Sequence, residues 1–258
     1  MGRRKPAEQG YTIVEMVTVI AIITILMSLI IPTVQRATRY ATAVSCINNL
    51  KAIYIGIVQY SSQYEDFLPA VGSPGKPGKF RPWYRVVEPY VGQWEVYRCP
   101  GKYIDTEDID RVEPAQPGEG DEGPAPATDT SKKKAMVHYG MNATIYKSNQ
   151  DIKPMFWDRT CQFQDFRAPA KTILVCDTGR VSEADDEDPL SWEEDNKSVE
   201  DGACHFPGGT GWGGGWRPVP RHDGKVNVLF AAGGAERLPI QEVVSLTYVD
   251  PYCLFDNQ

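Results

Sequence analysis

From Ile13 to Ile31 the chain reads "IVEMVTVIAIITILMSLII", nineteen residues in which Glu15 is the single charge. At a helical rise of about 1.5 Å per residue such a run covers roughly 28 Å, the hydrocarbon thickness of a bilayer. Few folds accept a segment of this kind, because its side chains suit lipid or a protein interior and nothing else. The stretch from Val17 to Ile31 is uncharged, and Arg3, Arg4 and Lys5 precede it. The basic side of a span stays in the cytoplasm, so the expected topology is single-pass, with the N-terminus cytoplasmic and the C-terminal domain extracytoplasmic. A carboxylate inside a span costs a few kcal/mol at the bilayer centre and less near its edge. Glu15 lies one turn from the start, where a headgroup-level charge is one reading.

A secretory signal peptide is another reading of the N-terminus, but it fits poorly. Its apolar region is shorter, roughly 7 to 15 residues, and ends near a small-x-small site. Ala41-Thr42-Ala43 has that form, yet it follows Ile31 by ten residues and two arginines. The well-placed small residue is Gly10, between the basic leader and Tyr11.

A basic leader ending in Gly10, an aromatic Tyr11, then "TIVE" with Glu15 five residues after the glycine, then the uncharged run, resembles the leader of type IV prepilins and type II secretion pseudopilins. The resemblance implies cleavage between Gly10 and Tyr11 by a prepilin peptidase and N-methylation of Tyr11. It implies storage as a single-pass protein of the bacterial inner membrane. It further implies assembly with other pilin-like subunits into a homo- or hetero-filament through an inner-membrane assembly platform. In such a filament Glu15 would meet the Tyr11 amine of a neighbouring subunit. Pro32 stands where many pilins carry a helix-kinking proline.

The pattern of helical residues continues past Pro32. Val34, Ala37, Ala41, Val44, Ile47, Leu50, Ile53, Ile57, Tyr60 and Tyr64 recur at intervals of three or four, one stripe on a helix. One helix from Tyr11 to Tyr64 is therefore expected, apolar all round in its first half and amphipathic in its second. The resulting organisation is a leader (1–10), a membrane-spanning half-helix (11–32), an amphipathic half-helix (33–65) and a β-rich domain (66–258). The fold class is α+β and pilin-like, a long N-terminal helix packed on an antiparallel sheet with long loops. Short strands are expected in "AMVHYGMN" (135–142), "KTILVCD" (171–177) and "KVNVLFA" (225–231). The last turns through residues 232–235 into "ERLPI" as a hairpin. "PGKPGKFRPW" (74–83) reads as a turn-rich loop. Residues 105–134 and 182–202 are acidic and nearly devoid of large apolar groups, and no core can form from them.

The net charge of −7 argues against nucleic acid as a partner. Six cysteines, Cys46, Cys99, Cys161, Cys176, Cys204 and Cys253, form no C-x-x-C pair. In an outward-facing domain they read as up to three disulfides or as buried thiols. Cys46 and Cys99 are the candidate bridge, with Cys99 placed at a strand end after "VYR". Such a bridge would close a loop of about 50 residues, worth about 3 to 4 kcal/mol.

The stretches "SCINNLKAIYIGIVQYSSQYEDFLP", "YRCP", "HYGMN", "PAKTILVCD" and "RHDGKVNVLFAAGGAERL" resemble, in this order, a bacterial branch of pseudopilin-like proteins. That branch has a C-terminal His-x9-Asp-Gly motif. His222 is present, but the Asp position holds Ala232, so no role resting on that Asp carries over.

No catalytic motif occurs, and an enzyme is not expected. His138, His205 and His222 are far apart in sequence, and Cys204-His205 is a poor nucleophile pair because adjacent side chains diverge on an extended chain. Type II major pseudopilins bind calcium in a C-terminal loop, and Asp185, Asp186 and Asp188 offer hard oxygen ligands. Their spacing is not that of an EF-hand, and a solvated acidic loop is the competing reading. Trp192, Trp212 and Trp216 open an alternative function, a minor or singly anchored pilin-like protein holding a glycan or an exported substrate.

Overall fold

The computed structural model describes residues 12–69, 72–74, 80–101, 137–142, 161–166, 168–181, 188–189, 194, 203–204 and 216–249. Two compact units divide the chain, Met1–Ala41 and Thr42–Gln258, the boundary falling inside the expected 33–65 segment.

Helix α1 (Ile13–Gln63) is continuous through Pro32. In the first unit every described residue is exposed, including Ile13, Val17, Ile20, Ile25, Leu26 and Leu29. The few polar side chains of this segment bond back to their own helix. Thr18 Oγ1 donates to Glu15 O at 2.9 Å, Thr24 to Ile20 O at 2.5 Å and Ser28 to Ile25 O at 2.7 Å. A hydroxyl satisfied in this way costs little in hydrocarbon. The same helix is long and apolar enough to cross a membrane.

From Thr42 onward the helix has one buried face, made by Ala43, Cys46, Leu50, Ile53, Gly56, Ile57 and Tyr60. The expected stripe is right from Leu50 to Tyr60 and wrong before it. Val34, Ala41 and Val44 are exposed, and the buried line runs instead through Ala43 and Cys46. Small residues such as Ala37, Ala41, Ala43 and Ser45 occupy several lines of the helix there, so periodicity alone does not say which line is covered.

The second unit is built on a six-stranded sheet. Strands β3 (Tyr139–Asn142), β4 (Ile173–Arg180), β5 (Ala203–Cys204), β7 (Lys225–Phe230) and β8 (Ala235–Pro239) lie in the order β5-β3-β4-β7-β8. Strand β6 (Trp216–Pro218) also pairs β4, and all pairings are antiparallel except β3 with β5. The α+β class and the antiparallel sheet behind a long N-terminal helix are those of a pilin-like fold, as expected. The three expected strands and the β7–β8 hairpin are all present. Alternation along β7 sends Val226, Val228 and Phe230 to one core cluster and Leu229 to the other. A bulge in β4 between Ile173 and Val175 lets Leu174 and Val175 join the same cluster.

Four features depart from the sequence reading. Residues 83–91 form a helix, α2 (Trp83–Val91), closed by Gly92 at φ 72° with its N–H on Glu88 O. "WEVY" (94–97) is a 3-10 helix, so Cys99 follows a helical turn and its extended cap Arg98, not a strand end. The described parts of the expected loop, strands β1 (Gly72–Pro74) and β2 (Phe80–Pro82), pair with each other. A third helix, α3 (Ile240–Val249), follows β8.

The turn after β7 tests this packing. Gly233 has φ +87°, and a Cβ there would come within 2.6 Å of the Tyr54 ring, whose hydroxyl donates to Ala231 O at 3.2 Å. Gly233→Ala must accept both left-handed strain and displacement of Tyr54. It is expected to destabilise the unit by about 2 kcal/mol or more in denaturant unfolding, while Gly234→Ala, whose Cβ would meet only Phe230 at an ordinary 3.9 Å, is expected to have a much smaller effect.

Candidate functional site

The start of α1 is organised by its own sequence. Glu15 Oε2 accepts hydrogen bonds from Thr12 N and Thr12 Oγ1, each at 2.8 Å, and Glu15 N donates to Thr12 Oγ1 at 3.3 Å. Thr12 and Glu15 thus form a capping box, the reciprocal arrangement in which residues Ncap and N3 satisfy each other's backbone donors. The four residues "TIVE" carry that signature on their face, and it gives Glu15 an intrachain partner that the sequence reading did not weigh. Gly10 and Tyr11 lie outside the described residues.

A second constellation lies buried in the domain. Cys46 on α1, Cys99 after the 3-10 turn and His222 before β7 bring their donor atoms together, all within 4.8 Å of one another. Cys46 Sγ is 3.0 Å from Cys99 Sγ, and Cys99 Sγ is 3.3 Å from His222 Nε2. Both sulfurs are present as free thiols. The expected Cys46–Cys99 pairing thus has its two sulfurs in contact.

His222 is held by a tight turn. His222 N and Lys225 N exchange hydrogen bonds with each other's carbonyls at 3.2 Å, and Asp223 and Gly224 between them have φ 53° and 76°. Two consecutive positive φ values are what a two-residue hairpin turn demands, and Asp-Gly supplies them at low cost. This agrees with the reading of "HDG" as a strand turn. Gly101 gives the imidazole its space, since a Cβ there would stand 2.9 Å from His222 Cε1.

Polar groups continue behind His222. Asp177 on β4 is fully buried, its Oδ2 3.7 Å from His222 Nε2 and accepting from Asn227 N at 2.8 Å. Arg221 donates to His138 O at 2.8 Å, to Thr178 O, and to both carboxylate oxygens of Glu194. His138 accepts the Cys99 N–H on Nδ1 at 2.8 Å. Burial pushes the Asp177 carboxyl up to about 6, although Arg221, His222 and Asn227 pull it down. Burial lowers the His222 imidazole, but the Cys99 hydrogen bond and the Asp177 charge outweigh it and raise it. The contact with Cys46, and then burial, raise the Cys99 thiol, and the same contact lowers Cys46.

Of these residues only Cys46 and Cys99 were paired in advance; His222 stood alone, and Asp177, Arg221 and Glu194 were missed. One signal was available. Each of the five stretches quoted for the second resemblance contributes a residue here: Cys46, Cys99, His138, Asp177, and Arg221 with His222.

Cys176 and Cys204 touch at 3.4 Å on the opposite core cluster as free thiols, and Cys161 donates to Gln162 O at 3.8 Å. Asp188 is exposed, whereas Asp185, Asp186, Trp192, His205, Trp212 and Cys253 lie outside the described residues. Trp216 is half-buried at the start of β6. Ala232 donates its N–H to Pro169 O at 2.9 Å in the β7–β8 turn.

Residues 5–31 match the family model of the prokaryotic N-terminal methylation motif. No curated protein and no solved structure matches the chain. A long exposed apolar helix, that motif at its start and an antiparallel sheet domain define a class, the pilin-like proteins. The motif supports a particular kind within that class, a type IV prepilin-like protein of the pilin or pseudopilin precursor sort. The motif points to a structural protein rather than an enzyme, with pilin-type subunits and a prepilin peptidase as its general partners, and with the one apolar helix it fits a single-pass inner-membrane protein.

Proposed function

We propose that the chain is a structural subunit of a type II secretion pseudopilus or a type IV pilus-like filament, the pseudopilus being favoured, that supports protein secretion. The observation that carries this reading is the first unit itself, a helix uncharged on every side from Val17 to Ile31 and exposed along its whole described length. A plain anchor has lipid as its only use for such a surface, and its first turn needs no carboxylate. In this reading the leader stays cytoplasmic, the domain lies outside, and peptidase cuts between Gly10 and Tyr11 before the helix moves from lipid into contact with neighbouring subunits.

Processing gives the test. Gly10→Val places a branched side chain at the cleavage point, so the full chain is expected to keep its leader and remain in the membrane, while Gly10→Ala is cut, though more slowly. Co-expression with a prepilin peptidase and an electrophoretic shift of about ten residues reads the outcome. Cleavage of Gly10→Val at the normal rate would refute the reading.

A further inference from the structure

We infer that Cys46, Cys99 and His222 form a binding site for a thiophilic divalent cation of the zinc type, seated inside the domain. Three elements distant in sequence converge to place two sulfurs and one imidazole nitrogen within 4.8 Å, with all three residues buried. Two thiols and an imidazole are a borderline-soft donor set, the kind that holds zinc in structural sites. With metal–sulfur and metal–nitrogen bonds of about 2.3 and 2.05 Å, tetrahedral geometry asks for roughly 3.8 Å between sulfurs and 3.6 Å between sulfur and nitrogen. The observed 3.0 and 3.3 Å require the side chains to part by less than an ångström.

The polar surroundings separate this reading from a disulfide. Joining the two sulfurs would turn Cys99 into a weak acceptor and leave His222 Nε2 facing it, inside a core, with the Asp177 carboxylate 3.7 Å away. Asp177 Oδ1 accepts no hydrogen bond of normal geometry. Buried polar groups without partners are costly, and a bridge would supply none. A cation takes both sulfurs and Nε2 as ligands and leaves its fourth position to Asp177 or a water. Its binding displaces one proton from each thiol to solvent, so two thiolates balance the dication. Gly101 completes the cradle, its missing side chain making room for the imidazole. The site belongs to the domain alone and does not depend on filament assembly.

The experiment is intact native mass spectrometry of the full chain, extracted in detergent and exposed to micromolar Zn²⁺. The expected result is one zinc per chain, with the mass of the metal less two hydrogens. Cys46→Ser, Cys99→Ser and His222→Ala should each weaken retention against a chromophoric chelator by about tenfold or more, while Cys161→Ser, a buried cysteine outside the cluster, should not. Because a ligand variant can fail to fold, Co²⁺ is also added to the unaltered chain, where tetrahedral thiolate coordination gives sulfur-to-cobalt charge-transfer absorption. A metal-free chain two hydrogens lighter, with Cys46 and Cys99 resistant to alkylation, would overturn the proposal in favour of a disulfide. Free thiols that take up neither zinc nor cobalt would overturn it as well, as would equal loss of zinc in Cys161→Ser.

Discussion

Glu15→Gln is expected to insert in the membrane, fold its outer domain and fail to enter a filament. The amide keeps an oxygen for the Thr12 N–H and hydroxyl, so the capping box survives in outline, but the charge is gone. Glu15→Ala removes both. If the carboxylate served only its own helix, alanine would lose a capping interaction of about 1 kcal/mol in the first turn, and glutamine would behave almost normally. In the filament account the charge matters between subunits. Helices packed around Glu15 exclude water, and a carboxylate or a terminal ammonium left without its partner there costs about 3 to 5 kcal/mol. At 1.4 kcal/mol per factor of ten, that is a loss of roughly two to three and a half orders of magnitude in subunit addition. Both variants are therefore expected to be blocked, with membrane fractionation and protease resistance of the domain unchanged. Filaments formed by Glu15→Gln in the absence of the native subunit would reduce Glu15 to a helix cap.

The second large effect is on stability. Arg221→Met is expected to cost the domain about 3 to 5 kcal/mol in denaturant unfolding of the detergent-extracted chain. Arg221 is the cation facing Glu194, and its guanidinium also serves the carbonyls of His138 and Thr178. Removing it takes the guanidinium away from Glu194, from the His138 and Thr178 carbonyls and from the buried Asp177 at once. Gly179, where a Cβ would stand 2.5 Å from Glu194 Oε1, shows how closely the carboxylate is packed. An exposed control such as Lys225→Met is expected to change stability by less than about 0.5 kcal/mol. A similar small change for Arg221→Met would show that the network adds nothing beyond packing.

The parts of the fold that were legible in the sequence share one property: a local pattern with a single structural solution. A nineteen-residue run with a single charge behind a basic leader has one, and so does the alternation of Val226, Val228 and Phe230 followed by a glycine turn. Helix α2 was hidden because Pro82 and Pro89 bracket it. Pro82 precedes its first residue, and Pro89 sits in its last turn, where a missing N–H costs one hydrogen bond and Gly92 closes the end. The phase of α1 before Leu50 was hidden because small residues, among them Ala37, Ala41, Ala43 and Ser45, suit a covered and an uncovered line alike. The cysteine–histidine cluster had no local spacing at all. Its members come from positions 46, 99 and 222, and only the topology of the sheet brings the "HDG" turn beside the helix-borne Cys46. The carboxylate of Glu15 was legible as an anomaly, and its capping partner Thr12 was legible too, three residues before it.

The central claim, that this is a processed filament subunit, is tested most directly by the mature N-terminus. Intact and fragment mass spectrometry of the chain recovered from membranes containing a prepilin peptidase should find Tyr11 as the first residue, carrying one N-methyl group. A chain that retains residues 1–10, or that begins after Ala43 or at any site other than Tyr11, would contradict the account.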